Sequence, residues 1–347
     1  MSDQQTIRVL VVEDSPTVRD LLVDMLESDP ELQVVGAARD GLEGVAMAMA
    51  LRPDVITMDI RMPRMDGFRA TRRIMQQVPT PIVVVSANVE EGEQPIAFNA
   101  IRAGALTVIE KPAGPAGPAY ETIREKLITT VKLMSEVRVV RQWATGTLGT
   151  PRPVPQRDLS QAQTRLLAIA ASTGGPAALY RLLQELPAEL PVPVLVVQHI
   201  TRGFGRGMVE WLGRASKLPV KAAEEGEWPR PGRVLFAPDD AHLLLRPDGR
   251  AHLRPCAPAD TICPSADLLF ESVAQAHGPQ ALGVIMTGMG RDGVEGLRQI
   301  KEVGGRVLAQ DERSSVVFGM PKEAIAAGIV DRVVPLEQMA AAIVEML

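Results

Sequence analysis

The sequence is poor in several features that would point to particular classes of protein. Only 3% of its 347 residues are aromatic, and its formal net charge is −5. An acidic balance offers no attraction for nucleic acid or anionic lipid, so we exclude nucleic acid as a partner. No apolar run reaches the roughly 18 residues that a membrane helix needs, so no membrane insertion is expected. The N-terminal stretch also lacks the basic region and cleavage site of a signal peptide, which predicts a cytoplasmic protein.

Cysteine is equally scarce, with only Cys256 and Cys263 in the chain. There is no second pair to build a zinc site, and cytoplasmic thiols usually stay reduced. We therefore expect both cysteines to be ordinary packed residues.

What the sequence does have is enough length for two domains and many loop-forming residues, 28 prolines and 29 glycines. Short apolar runs alternate with helical periodicity in both halves, which predicts an α/β protein with two doubly wound parallel-sheet domains. A stretch at about 142–164 is rich in Pro, Gly, Thr and Gln and lacks apolar periodicity. We expect a first domain over 6–141, a linker over 142–164 and a second domain over 165–347.

Acidic residues follow two predicted strands of the first domain. Glu13 and Asp14 come after the strand Ile7–Val12, and Asp59 ends the strand Val55–Met58. In a parallel sheet these carboxylates meet at one edge, where hard oxygen ligands favour magnesium. The alternative is that the acids simply cap helices.

A hydroxyl and an ammonium group are predicted at the same edge, from Ser86 and Lys111. Together these groups suit a transferred phosphoryl group. At this point the first domain resembles a response-regulator receiver, through the motifs VVEDS, MDIRMPRMDG, VSA and EKP. The resemblance covers nearly the whole domain and implies a flavodoxin-like fold.

The receiver resemblance implies a role for each residue of the cluster. Asp59 would accept phosphate from a chemotaxis-type histidine kinase. Asp14, Asp59 and the carbonyl of Arg61 would bind Mg²⁺, and Glu13 would help through water. Glu13 stands where aspartate is commoner in the family.

The same resemblance makes Ser86 and Lys111 the switch residues that sense the phosphoryl group. Val108 departs from the family pattern, because many receivers carry Tyr or Phe there. The usual aromatic reporter of phosphorylation is therefore missing from this sequence.

In the second domain, the stretch RLLAIAASTGGPAALYRLL changes from a buried strand to an amphipathic helix, with Ser172 at the junction. Gly174 and Gly175 allow close backbone approach, and the free N–H groups of a first helical turn favour negative charge. Ser172 is thus a candidate nucleophile. The alternatives are that it caps the helix or that S-T-G-G cradles a phosphate.

With four histidines in the chain, the general base can be sought by elimination. His242 and His252 flank the turn pair Asp248-Gly249 and fit a β-hairpin. His277 precedes a glycine at a predicted helix end. His199 follows the apolar run VPVLVVQ, at a strand end like that of Ser172, and is the best candidate base.

Asp292 lies in the glycine-rich motif MTGMGRDG before a predicted helix. It could be an N-cap, but a Ser/His pair needs a carboxylate to fix the imidazole tautomer, and Asp292 is at the right sheet edge. The loop also offers backbone N–H donors, including that of Met289, for an oxyanion. The order Ser, His, Asp and the lack of G-x-S-x-G argue against an α/β-hydrolase.

Read together, the motifs AASTGGP, VVQHI, APDDAHLLL, PSADLLF, MTGMGRDG and QDERSSVVFGMPKEAI make residues 165–347 similar to the CheB family of chemotaxis protein-glutamate methylesterases. The resemblance implies a Rossmann-like domain, with Ser172 as nucleophile, His199 as base, Asp292 as orienter and the Met289 N–H in the oxyanion hole. The implied substrates are glutamate methyl esters on chemoreceptors, and receptor glutamines for deamidation. No cofactor is implied for the esterase.

Three function classes follow from these patterns. The first is a phosphorylation-gated ester hydrolase acting on a protein. The second is a response regulator whose second domain binds a partner without catalysis, which would not require the set Ser172, His199 and Asp292. The third is a nucleotide-binding domain, although G-x-x-x-x-G-K-[ST] is absent from the sequence.

Overall fold

The computed structural model describes residues 6–86, 104–112, 120–137, 164–200 and 202–347. The chain divides into two compact units, Met1–Gly149 and Thr150–Leu347. The division falls inside the predicted linker, of which residues 142–163 lie outside the described residues. Thr164, at the end of that linker, is hydrogen bonded to the last helix of the second unit through its N–H and its hydroxyl. The domain limits at 141 and 165 stay predictions.

The first unit is a five-stranded parallel sheet flanked by helices. Its elements are β1 (Ile7–Val12), α1 (Pro16–Glu27), β2 (Leu32–Ala38), α2 (Gly41–Leu51), β3 (Val55–Met58), α3 (Gly67–Gln77), β4 (Ile82–Ser86), β5 (Thr107–Glu110) and α4 (Tyr120–Ser135). The strand order is β2-β1-β3-β4-β5, and every pairing is parallel. This is the doubly wound order of flavodoxin-like domains, which confirms the fold predicted for this half.

Local sequence explains why a crevice lies at the carboxyl ends of the strands in this sheet. β3 and β4 are continuous apolar runs, VITM and IVVVS, because helices cover both faces of the sheet and bury both sides of each strand. The strand order reverses between β1 and β3, so a crevice opens at their carboxyl ends. Ser15 begins α1 there by accepting a hydrogen bond from the Val18 N–H.

The second unit is a seven-stranded parallel sheet with a separate two-stranded hairpin. Its elements are β6 (Leu166–Ala171), α5 (Gly175–Glu185), β7 (Val194–Gln198), α6 (Gly205–Gly213), β8 (Val220–Ala222), β9 (Val234–Phe236), β10 (Ala241–Leu245), β11 (Ala251–Pro255), α7 (Ala266–His277), β12 (Ala281–Ile285), α8 (Val294–Glu302), β13 (Arg306–Gln310), α9 (Met320–Ala326), β14 (Arg332–Val334) and α10 (Leu336–Met346). The order β14-β13-β12-β6-β7-β9-β8 is parallel throughout, as predicted.

The chain leaves the central strand β6 toward β7 and later returns on the other side of β6 as β12. The carboxyl ends of β6, β7 and β12 therefore border one crevice. All residues of these three strands are buried, which holds the loops that follow them on a rigid support. The antiparallel hairpin β10-β11 carries His242 and His252, as predicted.

The prediction for the cysteines was wrong. Cys256 and Cys263 form a disulfide that closes the loop between β11 and α7. The prediction considered the redox compartment alone, whereas the loop folds back and places the two Cα atoms 6.0 Å apart, within reach of a disulfide. Among the helices that the structure describes, none has the length and apolar character to cross a membrane.

Candidate functional site

Three carboxylates gather at the carboxyl edge of the first sheet. Ligand oxygens of Glu13, Asp14 and Asp59 lie within 4.8 Å of one another, as expected from their positions after β1 and β3. Helix capping does not explain them, because Ser15 caps α1 and Asp66 caps α3.

Lys111 follows β5 and bridges two of these acids. Its Nζ lies 2.9 Å from Oε2 of Glu13 and 2.9 Å from Oδ1 of Asp59. Burial, followed by the charge of Asp59, raises the pKa of Glu13 to about 7, and burial also raises the pKa of Asp59. Burial alone would lower the pKa of Lys111, but the Asp59 and Glu13 carboxylates outweigh it and raise that pKa. The Lys111 ammonium thus pairs with Glu13 and Asp59, while Asp14 has no ion pair with it.

This cluster fits a magnesium ion. Asp59 Oδ2 is buried and has no hydrogen-bond partner among the described residues, so a ligand oxygen remains available. Asp14 is exposed and lines a cavity of about 770 Å³ together with Arg61. Asp14, Asp59 and the Arg61 carbonyl would hold the ion, which would supply positive charge to neutralise phosphoryl oxygens; Mg²⁺ usually keeps several waters.

The other residues singled out in the first unit, Ser86 and Val108, lie on β4 and β5. Ser86 ends β4 and is 4% exposed, and its carbonyl accepts a hydrogen bond of 2.8 Å from the Lys111 N–H. Val108 lies within β5 and is buried. Position 67 must be glycine, because a Cβ there would lie 1.9 Å from the Asp59 carbonyl oxygen. The DG pair of the motif therefore keeps the loop after β3 close to Asp59.

In the second unit, Ser172 and His199 follow neighbouring strands. β6 and β7 pair with Ala171 opposite Gln198, and the His199 N–H donates to the Ala171 carbonyl over 3.0 Å. The two candidate residues therefore leave the sheet side by side. Helix capping does not explain Ser172, because Gly174, with φ +78°, stands at the N-cap of α5 and no side chain caps that helix.

Asp292 is brought to His199 although 93 residues separate them. His199 Nε2 lies 2.8 Å from Asp292 Oδ2, and the two side chains are 17% and 6% exposed. The Asp292 carboxylate also accepts hydrogen bonds from the Ser265 hydroxyl and from the N–H groups of Ala266 and Asp267, over 3.0, 2.7 and 3.1 Å. Asp292 is thus fixed by four donors and is not the N-cap of α8, which is Gly293.

The hydrogen-bond donors around Asp292 determine its charge. Burial would raise its pKa, but the hydrogen bond from His199 and those from the helix N–H groups outweigh burial and lower the pKa to about 2. The carboxylate is ionised at neutral pH and can stabilise an imidazolium.

The glycine loop after β12 borders Ser172. A Cβ at Gly288 would lie 2.6 Å from the Ser172 Cβ, so only glycine permits this approach. The segment FGMP supports the loop, because the N–H groups of Gly319 and Met320 both donate to the Gly288 carbonyl, over 3.0 and 2.9 Å. The Met289 N–H takes part in no hydrogen bond within the described residues, as an oxyanion donor requires.

Two further residues, which the sequence analysis did not single out, stabilise this crevice through hydrogen bonds. Gln198 is 3% exposed, and its amide donates to the carbonyls of both Ser172 and His199 over 2.8 Å. The Thr287 hydroxyl donates to the Thr173 carbonyl over 2.9 Å and accepts from the Val317 N–H over 3.0 Å. Each is a buried polar residue at a strand end, a signal that was present in the sequence but unused.

Comparisons with known proteins identify the family of this chain. A family model described as CheB methylesterase matches residues 167–343, and one described as response regulator receiver domain matches residues 9–117. A Myxococcus xanthus protein named protein-glutamate methylesterase/protein-glutamine glutaminase 4 is 53% identical over 96% of this chain and 95% of its own length. The chain belongs to the protein-glutamate methylesterase family.

Further members of the methylesterase family extend this match. A Syntrophus aciditrophicus protein of the same name, numbered 1, is 44% identical over 98% of both chains. The solved structure of the Thermotoga maritima CheB methylesterase catalytic domain is 36% identical and covers 53% of this chain and 99% of its own, with a TM-score of 0.51. The predicted family and the two-domain α/β architecture are confirmed.

Proposed function

We propose that this methylesterase hydrolyses glutamate methyl esters on chemoreceptors, and deamidates receptor glutamines, through Ser172, His199 and Asp292. The observation that carries the proposal is the 2.8 Å hydrogen bond from His199 to Asp292, beside Ser172 on the neighbouring strand end. A domain that only binds a partner has no need for an imidazole held in this way.

In the first step, the Ser172 oxygen bonds to the ester carbonyl carbon while His199 takes the hydroxyl proton. Since His199 Nε2 is bonded to Asp292, Nδ1 is the nitrogen that accepts this proton. The Met289 N–H stabilises the oxyanion. Collapse breaks the C–O bond and releases methanol, which receives the proton from His199.

In the second step, water attacks the acyl-enzyme, His199 removes one proton from the water, and Ser172 leaves with that proton. The product is a glutamate carboxylate. A glutamine follows the same route with ammonia in place of methanol. The Ser172 hydroxyl has no hydrogen bond among the described residues, and such contacts often tighten only when substrate binds.

Control by phosphorylation is the second part of the proposal. Asp59 accepts a phosphoryl group from a histidine kinase of the chemotaxis type, with Mg²⁺ at Asp14, Asp59 and the Arg61 carbonyl. The clustered acids and Lys111 support this assignment. Ser86 and Lys111 then sense the new group, and the esterase serves sensory adaptation in the cytoplasm.

The test is methanol release from methylated receptor by the full chain. Ser172→Ala should lose nearly all activity, since no nucleophile remains. Ser216→Ala is the matched control, because within the described part of the chain the side chain of this serine bonds only to the nearby Leu218 N–H. Near-normal release by Ser172→Ala would exclude the mechanism, and nucleotide binding by an inactive chain would favour the alternative role for S-T-G-G.

A further inference from the structure

His242 is a buried histidine outside the triad with both ring nitrogens engaged. It lies in β10 and is 1% exposed. Its Nε2 lies 2.9 Å from Oδ2 of Asp260, and its Nδ1 accepts a hydrogen bond of 3.1 Å from the Ser265 N–H. Because Nδ1 accepts, the ring proton is on Nε2 and is donated to Asp260. The pair His242–Asp260 thus repeats the imidazole–carboxylate arrangement of the triad.

Ser265 connects this second pair to the triad. It is the N-cap of α7, and its hydroxyl donates to Asp292 Oδ1 over 3.0 Å. The next two N–H groups, of Ala266 and Asp267, donate to the same carboxylate. Three of the four donors that fix Asp292 therefore belong to the chain segment whose first N–H is held by His242.

Asp260 is itself fixed within the disulfide loop. Its Oδ2 accepts from the Ala257 N–H over 2.7 Å, and its Oδ1 from Arg254 Nη2 over 3.3 Å. The loop is closed by Cys256 and Cys263. The imidazole and the two sulfurs are close enough together for a metal ion, but the sulfurs are bonded to each other and both ring nitrogens are hydrogen bonded. The hydrogen bonds and the disulfide of this cluster hold Asp260 against His242.

We propose that His242 is a positioning residue of the esterase. Held by Asp260, it fixes the Ser265 N–H, and through Ser265 it sets the Asp292 carboxylate against His199. This inference rests on the proposed function, because it assigns His242 an effect on catalysis only through Asp292.

The two ring nitrogens can be tested separately by amide side chains. Asn places its carbonyl oxygen near the position of Nδ1, so His242→Asn keeps an acceptor for Ser265. Gln reaches the position of Nε2, so His242→Gln keeps a donor for Asp260 but loses that acceptor. The proposal requires the Asn variant to be the more active, since the Ser265 contact leads to the triad.

The experiment measures methanol release by the full chain. His242→Gln should lower kcat by about tenfold to a hundredfold with KM little changed, because a small displacement of Asp292 affects the reacting geometry more than substrate binding. His242→Asn should recover much of this loss. His252→Gln is the control from the same hairpin; its exposed imidazole pairs with Glu225, and its kcat should equal that of the unaltered chain.

A double-mutant cycle separates positioning from general structural damage. In an Asp292→Ala background, His242→Gln should lower the residual kcat no further, since the residue through which it acts is gone. An equal loss in both backgrounds would overturn the proposal, as would wild-type kcat for His242→Gln. If the His242 variants do not fold, Asp260→Ala replaces them, because Asp260 is 21% exposed and alanine removes the oxygen that accepts from His242. Wild-type kcat for Asp260→Ala would likewise overturn the proposal. Activity in Ser172→Ala would instead overturn the proposed function.

Discussion

Asp267 lies at the start of α7, and Asp292 lies just before α8. Each carboxylate accepts hydrogen bonds from the N-terminus of the other residue's helix. The Asp292 carboxylate accepts from the first N–H groups of α7, and Asp267 Oδ1 accepts from Gly293 and Gly296 at the start of α8, over 2.9 Å each. Carboxylates at helix N-termini are stabilised by the helix dipole. The same reciprocal contact locks two helices together and orients the acid that faces His199.

Replacing Asp292 should therefore damage catalysis far more than replacing Asp267. Asp292→Asn is expected to lower kcat on the order of 10⁴, because an amide opposite His199 selects the wrong imidazole tautomer. Asp267→Asn should cost much less, since its carbonyl oxygen still accepts from Gly293 and Gly296. Burial raises the pKa of Asp267, so a neutral side chain suits that site. Methanol release by both variants measures the difference, and equal losses would remove Asp292 from the triad.

A second prediction concerns the phosphorylation site. Asp59 should be the only residue labelled by a small-molecule phosphodonor, and labelling should need Mg²⁺, because Asp14 and Asp59 provide its hard-oxygen ligands. Asp59→Asn should abolish labelling, and EDTA should suppress it in the unaltered chain. Asp54→Asn is the control, since this nearby acid pairs with the Arg8 N–H outside the cluster. Undiminished labelling in Asp59→Asn or in EDTA would contradict the assignment.

The disulfide allows a third prediction. Since Cys256 and Cys263 are bonded to each other, neither can serve as a nucleophile. The double variant Cys256→Ser/Cys263→Ser should still release methanol, but its free energy of unfolding should fall by about 2–3 kcal/mol, as chain-entropy arguments give for so short a loop. Urea titration measures the loss. A thiol would return to the mechanism only if a folded double variant lost hydrolysis while the full chain with reduced, unmodified cysteines kept it.

The sequence predicted both sheet edges for a physical reason. Apolar runs locate strand ends, and the carboxyl ends of neighbouring parallel strands meet, so Ser172 and His199 could be placed together without a structure. The bond from Ser265 to Asp292 spans 27 residues and the bond from Ser265 to His242 spans 23, and no periodicity encodes such pairs. His242 was assigned correctly to a hairpin, yet its burial against Asp260 depends on the folding of a loop.

A fourth prediction follows from His277 at the end of α7. Burial lowers its pKa below the ordinary 6.5. Between the lowered pKa of the folded state and 6.5, the unfolded chain then binds more protons than the folded one. His277 therefore costs no stability above about pH 6.5 but weakens the fold as the pH falls through that value. Urea unfolding followed by the fluorescence of the buried Trp211 should show this decline between pH 7 and 5. The decline should be smaller in His277→Gln, and in the exposed-site control His252→Gln it should equal that of the unaltered chain. A decline in His277→Gln identical to that of the unaltered chain would refute the prediction.

The last prediction concerns how phosphorylation controls the esterase. We expect residues 165–347 alone to release methanol faster than the unphosphorylated full chain, and phosphorylation to close part of that gap. The catalytic domain of the Thermotoga maritima relative was solved by itself, which supports the use of the isolated domain.

Only part of the gap should close, because complete switching is demanding. Moving an equilibrium from 1:99 to 99:1 takes about 5.5 kcal/mol of differential interaction. The phosphoryl group adds about −1.5 to −2 charge beside Ser86 and Lys111, but Val108 provides no aromatic ring to couple that charge to the rest of the receiver. Asp59→Asn in the full chain is the control and should stay at the unphosphorylated rate. If residues 165–347 are no faster than the unmodified chain, the receiver does not inhibit the esterase, and any effect of phosphorylation must arise otherwise, for instance by bringing the enzyme to its receptor.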